Sequence, residues 1–181
     1  MATQPETGTP EAEDVTRFEI YRGKDAENFD ELDCMEMTGL TEIIQDGIVR
    51  AGEAGAGEGQ LVKMLFSIPG MSLTYAWFKS GFPLPLHSHN ADCLYYIVSG
   101  TLRLGTEDLG AGDGFFVGAD VPYSYTPGPE GVEVLEFRTA NKFDIRFLGK
   151  TRKFWDKTVA SVERRRADWA KETSPPARIS S

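Results

Sequence analysis

Cysteine and histidine are both scarce in this chain, with two of each among 181 residues. Cys34 and Cys93 are too few for the disulfide framework of a small secreted domain, so free thiols in a reducing, cytoplasmic setting are expected. Long apolar runs are missing as well, and none approaches the roughly 20 residues that a membrane helix needs. The opening MATQPETGTPEAED lacks a basic start followed by an apolar stretch, and reads as an acidic tail rather than a secretory leader. Basic charge is short: a net charge of −9 argues against nucleic acid as a partner, because a phosphate backbone wants a basic face. The bases present are concentrated at one end, with nine against four acids in 150–181, while 1–33 carry ten acids against three bases. The run Arg164, Arg165, Arg166 reads as a solvated helix face. No internal repeat is visible, which points to one barrel and not two.

A hydrophobic share of 40% and an aromatic share of 11% suit a globular chain long enough to bury a core. From Leu61 onward the pattern is β. LVKMLFSI, MSLTYAWFKS, CLYYIVSGTLRL, GFFVGA and VEVLEFR are short runs rich in β-branched and aromatic residues, punctuated by Gly and Pro. Short strands at this spacing predict an all-β sandwich or barrel, and the lack of helical stretches between them excludes βαβ units. Before that region, Phe18, Ile20 and Tyr21 alternate as a possible edge strand. GLTEIIQDGIVR fits a short helix or a strand equally, and AGEAGAGEGQ at 51–60 reads as a loop. After Gly149, Trp155, Val159, Val162 and Trp169 recur at helical spacing, predicting a helix packed on the barrel or on a partner subunit. The expected organisation is a tail at 1–15, a barrel at 16–149 with its core motifs in 61–140, an amphipathic helix at 150–172 and a tail at 173–181.

Both histidines lie in LHSHN. In a strand, residues i and i+2 face the same way, so His87 and His89 aim at one point. Neutral imidazole is a common ligand for Zn, Fe, Cu and Ni. An isolated HxH reads as a surface pair or a hydrogen-bonded core pair; the surrounding segment changes that reading. Tyr95 shares strand parity with Cys93, and Tyr125 shares it with Tyr123. Glu136 and Arg138 lie on one face of VEVLEFR, and a solvent-facing ion pair is preferred to entry into the cavity as acid or base and anion clamp.

Gly81 to Gly100 resembles the first cupin motif, with Gly81, His87, His89 and Gly100 in register and Tyr96, Ile97 and Val98 at the usual aromatic and aliphatic positions. LGAGDGFFVGADVPYSYTPG is similar to the second motif. The resemblance covers about residues 61–140 and implies a small all-β double-stranded β-helix, a jelly-roll barrel whose mouth holds a metal, here followed by a C-terminal α-helix. The sequence departs from the pattern twice. Cys93, preceded by Asp92, stands where cupins usually have a Glu ligand, and Tyr123 stands where the second motif has its His. The resemblance leaves three outcomes: a divalent metal on His87, His89 and Tyr123 with Asp92 or Cys93 and water; a weak, mostly empty site; or a cup that binds a small molecule without metal. A phenolate near a dication loses its proton more readily, which makes Tyr123 a sensible ligand.

Cys93 also resembles the thiol dioxygenases, cupins in which a Cys replaces that Glu, and Tyr123 and Cys93 are the candidate catalytic residues. The alternative for Cys93 is a buried free thiol that packs as a small apolar group. The implied activity is metal-dependent chemistry on a small organic substrate, with an oxygenase or dioxygenase using non-heme Fe(II) favoured and Zn, Mn or Ni as other metals. An isomerase, lyase or cyclase using the metal as Lewis acid, or a non-catalytic binder, are the alternatives. A homodimer is expected, without nucleic-acid or membrane partners.

Overall fold

The computed structural model describes residues 18–176. Among the described residues ten strands and two α-helices follow one another: β1 (Glu27–Asn28), β2 (Met35–Thr38), α1 (Glu42–Glu53), β3 (Gln60–Ile68), β4 (Met71–Phe78), β5 (His87–Ser88), β6 (Cys93–Leu104), β7 (Glu107–Gly110), β8 (Gly114–Val117), β9 (Thr126–Arg138), β10 (Phe143–Phe147) and α2 (Arg152–Trp169). One sheet runs β1-β3-β4-β9-β6-β7, with β8 also paired to β6; the other is β2-β10-β5. Within the larger sheet all pairings are antiparallel. The five β-rich runs of the sequence become β3, β4, β6, β8 and β9.

Alternation along these strands builds the barrel interior. Ser72, Thr74, Ala76 and Phe78 of β4, Val132 and Val134 of β9, and Cys93, Tyr95 and Ile97 of β6 are all buried, whereas Leu94 and Tyr96 between them are exposed. Ala76, Phe78, Ile97, Val132 and Val134 belong to one apolar cluster. Gly100 of the first motif has a physical reason to be glycine: its φ is +71°, and a Cβ there would lie 2.2 Å from the Gly131 carbonyl oxygen.

The ambiguous segment after Gly39 is a helix. The Thr41 hydroxyl accepts from the Ile44 N–H at 3.4 Å to cap α1. The helix extends into the expected loop, and a 3-10 turn at Ala56–Gly59 takes up most of the rest. Gly47 is where the two helices touch, since a Cβ there would sit 2.0 Å from the Trp155 ring. On α2, Trp155, Thr158, Val162 and Trp169 are buried. Trp169 packs on Phe82 and donates its indole N–H to the Ser80 carbonyl at 2.9 Å, so the helix spends its apolar face on its own barrel. The expected edge strand at Phe18–Tyr21 does not form; those side chains are exposed, and Tyr21 rests beside Phe66. Among the described residues no helix is long and apolar enough to cross a membrane. The tail expected at 1–15 and the end of the one expected at 173–181 lie outside the described residues.

Candidate metal centre

β5 is only two residues long and His89 lies just past it, yet three sets of contacts fix the two histidines. The His87 N–H donates to the Tyr123 carbonyl at 3.1 Å, and the Tyr123 N–H returns the bond to the His87 carbonyl at 2.9 Å. This bridge joins the two motif segments. The Asp120 N–H donates to the His89 carbonyl at 2.7 Å. Asn90 and Asp144 of β10 then exchange side-chain-to-backbone bonds, both 2.8 Å, while the Thr38 hydroxyl donates to the Asp144 carboxylate at 2.7 Å.

The two imidazoles converge as their spacing predicts, with ring centroids 5.0 Å apart and 78° between planes. Both are buried, at 3% and 6% exposure. His87 Nδ1 lies 2.7 Å from the Pro85 carbonyl oxygen, and His89 Nδ1 lies 2.6 Å from the Asp144 carbonyl oxygen. A carbonyl can only accept, so each Nδ1 carries the hydrogen and each Nε2 keeps the lone pair. Burial, more than any other influence, brings both rings from the usual 6.5 down to about 4. They are neutral at pH 7.

That shift predicts an acid-sensitive fold. Between about pH 6.5 and 4 the unfolded chain binds protons that the folded rings refuse, so stability falls as pH drops through this window and is full above it. The slope approaches roughly 1.4 kcal/mol per pH unit for each ring. Urea midpoints of metal-free protein at pH 7, 5.5 and 4.5 measure it; a flat profile would mean hydrated rings.

Tyr123 stands beside the pair, its ring centroid 4.4 Å from that of His87 and 6.2 Å from that of His89. Its hydroxyl forms a short hydrogen bond with the Tyr95 hydroxyl. Tyr95 in turn stacks flat on Phe115, with centroids 4.5 Å apart. Burial first, then the charge of Glu136, pushes both phenols above their ordinary pKa, so both stay protonated in the metal-free chain. Cys93 points into the barrel and is buried, and burial raises its thiol to about 12. It packs in the apolar cluster as a protonated thiol.

Asp92, expected to complete the shell, is not brought to this group. It is one residue out of phase with Cys93, on the side of exposed Leu94, and its carboxylate accepts the Ala119 N–H at 2.8 Å. Glu136 and Arg138 need a correction in the other direction. They face the interior at 7% and 5% exposure, paired at 2.7 Å, rather than facing solvent. The Arg138 guanidinium also donates to the Thr74 hydroxyl at 3.3 Å and lies over Phe143 at 4.5 Å. Burial is the largest single influence and would lower its pKa, but the raising influences around it, the Glu136 carboxylate first among them, together outweigh burial and raise it. Its Nε has no hydrogen-bond partner among the described residues. Asn90 and Asp144, which aim His89, escaped sequence reasoning; Asn90 directly after the second histidine was the one available signal.

Among the described residues no three His, Cys, Asp or Glu side chains converge as a ligand set. Tyr123 is a donor-bearing side chain whose ring lies beside both imidazoles, and its hydroxyl meets that of Tyr95. One surface cleft, of about 350 Å³, shares Phe143 and Asp144 with the surroundings of His89 and is also lined by Cys34, Glu36 and Lys142.

No family model matches the chain, and no curated protein matches it. Solved structures do. The polyketide cyclase RemF from Streptomyces resistomycificus superposes with a TM-score of 0.55 at 14% identity, over 81% of this chain and 99% of its own. An RmlC-like cupin from Shewanella frigidimarina NCIMB 400 gives 0.46 at 20% identity, over 70% and 95%. KdgF from Halomonas sp. gives 0.43 at 20% identity, over 46% and 82%. The chain has the cupin fold, and at these identities the likeness is one of fold alone.

Proposed function

We propose that this cupin is a metal-dependent enzyme acting on a small organic substrate, with a divalent metal held by His87, His89 and Tyr123. An O2-dependent oxygenase using non-heme Fe(II) is the reaction class it fits best. The observation that carries the proposal is the state of the two imidazoles: buried, neutral, and bonded through Nδ1 to backbone carbonyls, which leaves both Nε2 lone pairs for a metal. The donor set passes a chemical test of fit, because two neutral nitrogens and a phenol suit iron better than a hard cation such as magnesium. A ferrous ion there would supply open positions at which substrate and O2 meet, as in other two-His iron sites.

The chain's own groups do the remaining work. Tyr95 donates a hydrogen bond to the Tyr123 oxygen once that oxygen has lost its proton, and so stabilises the phenolate. Pro85 and Asp144 hold the rings in one tautomer. The Glu136–Arg138 pair keeps the barrel interior polar without adding net charge. A cleft lined by Asn90, Phe143 and Asp144, neighbours of His89, offers a small molecule room close to the site without itself being lined by the histidines. A Lewis-acid role, as in an isomerase, lyase or cyclase, is the second reading. It is favoured by the two protonated phenols in contact, which can hand on a proton, and a polyketide cyclase shares the fold.

Metal analysis of protein purified without added metal tests the proposal. One equivalent of iron, lost in His87→Ala, is the expected result. Zinc or manganese in its place moves the reaction to the Lewis-acid class. No bound metal, with affinity for added Fe(II) unchanged by His87→Ala, would leave a non-catalytic binder.

A further inference from the structure

The outer face of the larger sheet is apolar where an uncovered sheet should be polar. Leu94 on β6 is flanked in register by Phe116 of β8 and Phe137 of β9, giving a row of three apolar side chains across three strands. They are 51%, 64% and 41% exposed, and Tyr96, Met71 and Val121 around them are 46%, 44% and 49% exposed. Met71, Leu94, Phe116 and Phe137 line a shallow groove of about 260 Å³. Taking about 200 Å² for a whole aromatic side chain, the three aromatics leave on the order of 300 Å² open, and the aliphatics bring the patch to roughly 500 Å². That is at the upper end of what a monomer normally leaves in water.

We infer that this face is the two-fold interface of a homodimer, with a second copy of the chain as its occupant. Three observations favour a second copy. The chain outside the described residues has little to cover the patch: 1–17 offer Met1 and Val15 as their only large apolar side chains, and 177–181 offer Ile179 alone. The face suits pairing with itself, because Met71, Leu94, Phe116 and Phe137 all line the groove and stand partly exposed, so a two-fold axis would set apolar side chains against apolar side chains. Two such patches bury roughly 1,000 Å², the size at which a specific interface begins, before any rim is counted.

Charge points the same way. At the groove Arg138 is already paired with Glu136, and the Asp92 carboxylate is held by the Ala119 N–H. No free basic group is left there to read a lipid surface or an acidic partner, so the groove suits an equally apolar surface. The dimer rests on this sheet face and not on α2, whose tryptophans are buried within the same chain.

Analytical ultracentrifugation of the full chain at about 5–100 μM tests the inference, with Phe116→Glu and Leu94→Lys as two separate interface variants. Both positions are exposed, so each variant should keep the wild-type circular dichroism. The expected result is a wild-type dimer of twice the 20.0 kDa chain mass, with either variant weakening dimerisation by about 100-fold or more. Leu40→Lys, an exposed apolar position elsewhere, should leave the dimer intact. A wild-type monomer at 100 μM, or a dimer that both interface variants leave unchanged, overturns the assignment.

Discussion

Replacing Arg138 by methionine is expected to remove about 3–5 kcal/mol of folding stability, the loss typical of breaking a buried ion pair from one side. The variant keeps much of the aliphatic stem but deletes the guanidinium that lies over Phe143 and the charge that Glu136 faces at 2.7 Å. Glu136 is 7% exposed, too deep for water to replace the guanidinium cheaply. The carboxyl must then take up a proton or pull the strand open. The double variant Arg138→Met with Glu136→Leu should recover most of the loss, because an apolar pair of similar volume is often as stable as the ions it replaces. Urea unfolding of the three proteins measures both steps. A single-variant loss below about 1 kcal/mol would mean that the pair is hydrated in solution.

The second large effect belongs to Tyr123→Phe. The substitution removes one oxygen and keeps the ring that lies 4.4 Å from His87. Fold stability should fall by about 1–3 kcal/mol, because the buried Tyr95 hydroxyl loses the hydroxyl it is bonded to. Metal affinity should fall by more than the roughly 10–100-fold that changes outside a ligand set produce. With Fe(III), the wild type should show a visible phenolate-to-iron charge-transfer band that the variant lacks. Tyr123→His should restore or raise metal binding, since it rebuilds the donor set common in cupins. Unchanged metal content in Tyr123→Phe would make Tyr123 a wall residue, and the search would move to Cys93 through Cys93→Ser and Cys93→Glu.

The barrel was legible in the sequence because its long strands are runs rich in β-branched and aromatic residues bounded by Gly and Pro; β3, β4, β6, β8 and β9 needed no partner to be recognised. The shorter strands depend on distant partners. β2 pairs with β10 in parallel from more than a hundred residues away, and β5 is two residues long, so neither leaves a local pattern. The helix α1 was ambiguous because Ile43, Ile44, Ile48 and Val49 suit either period, and its resolution came from the Thr41 cap and the fit of Gly47 against Trp155. For the site, the spacing of His87 and His89 carried the convergence of the rings. It could not carry Asp92, whose phase along β6 turns it outward. Glu136 and Arg138 were misjudged because charge was weighed above parity. They alternate in step with Val132 and Val134, which face the interior, and the same step takes the charges there.

Both histidine rings are steered by main-chain oxygens, those of Pro85 and Asp144. Every residue type has a carbonyl, so exchanging either side chain leaves the acceptor in place as long as the backbone keeps its path. The direction in which the two nitrogens point thus follows the backbone path, which beside His89 the Asn90 and Asp144 side chains hold, more than the other side chains around them. The walls of the cup could be remodelled for a differently shaped guest while both ring nitrogens kept their aim.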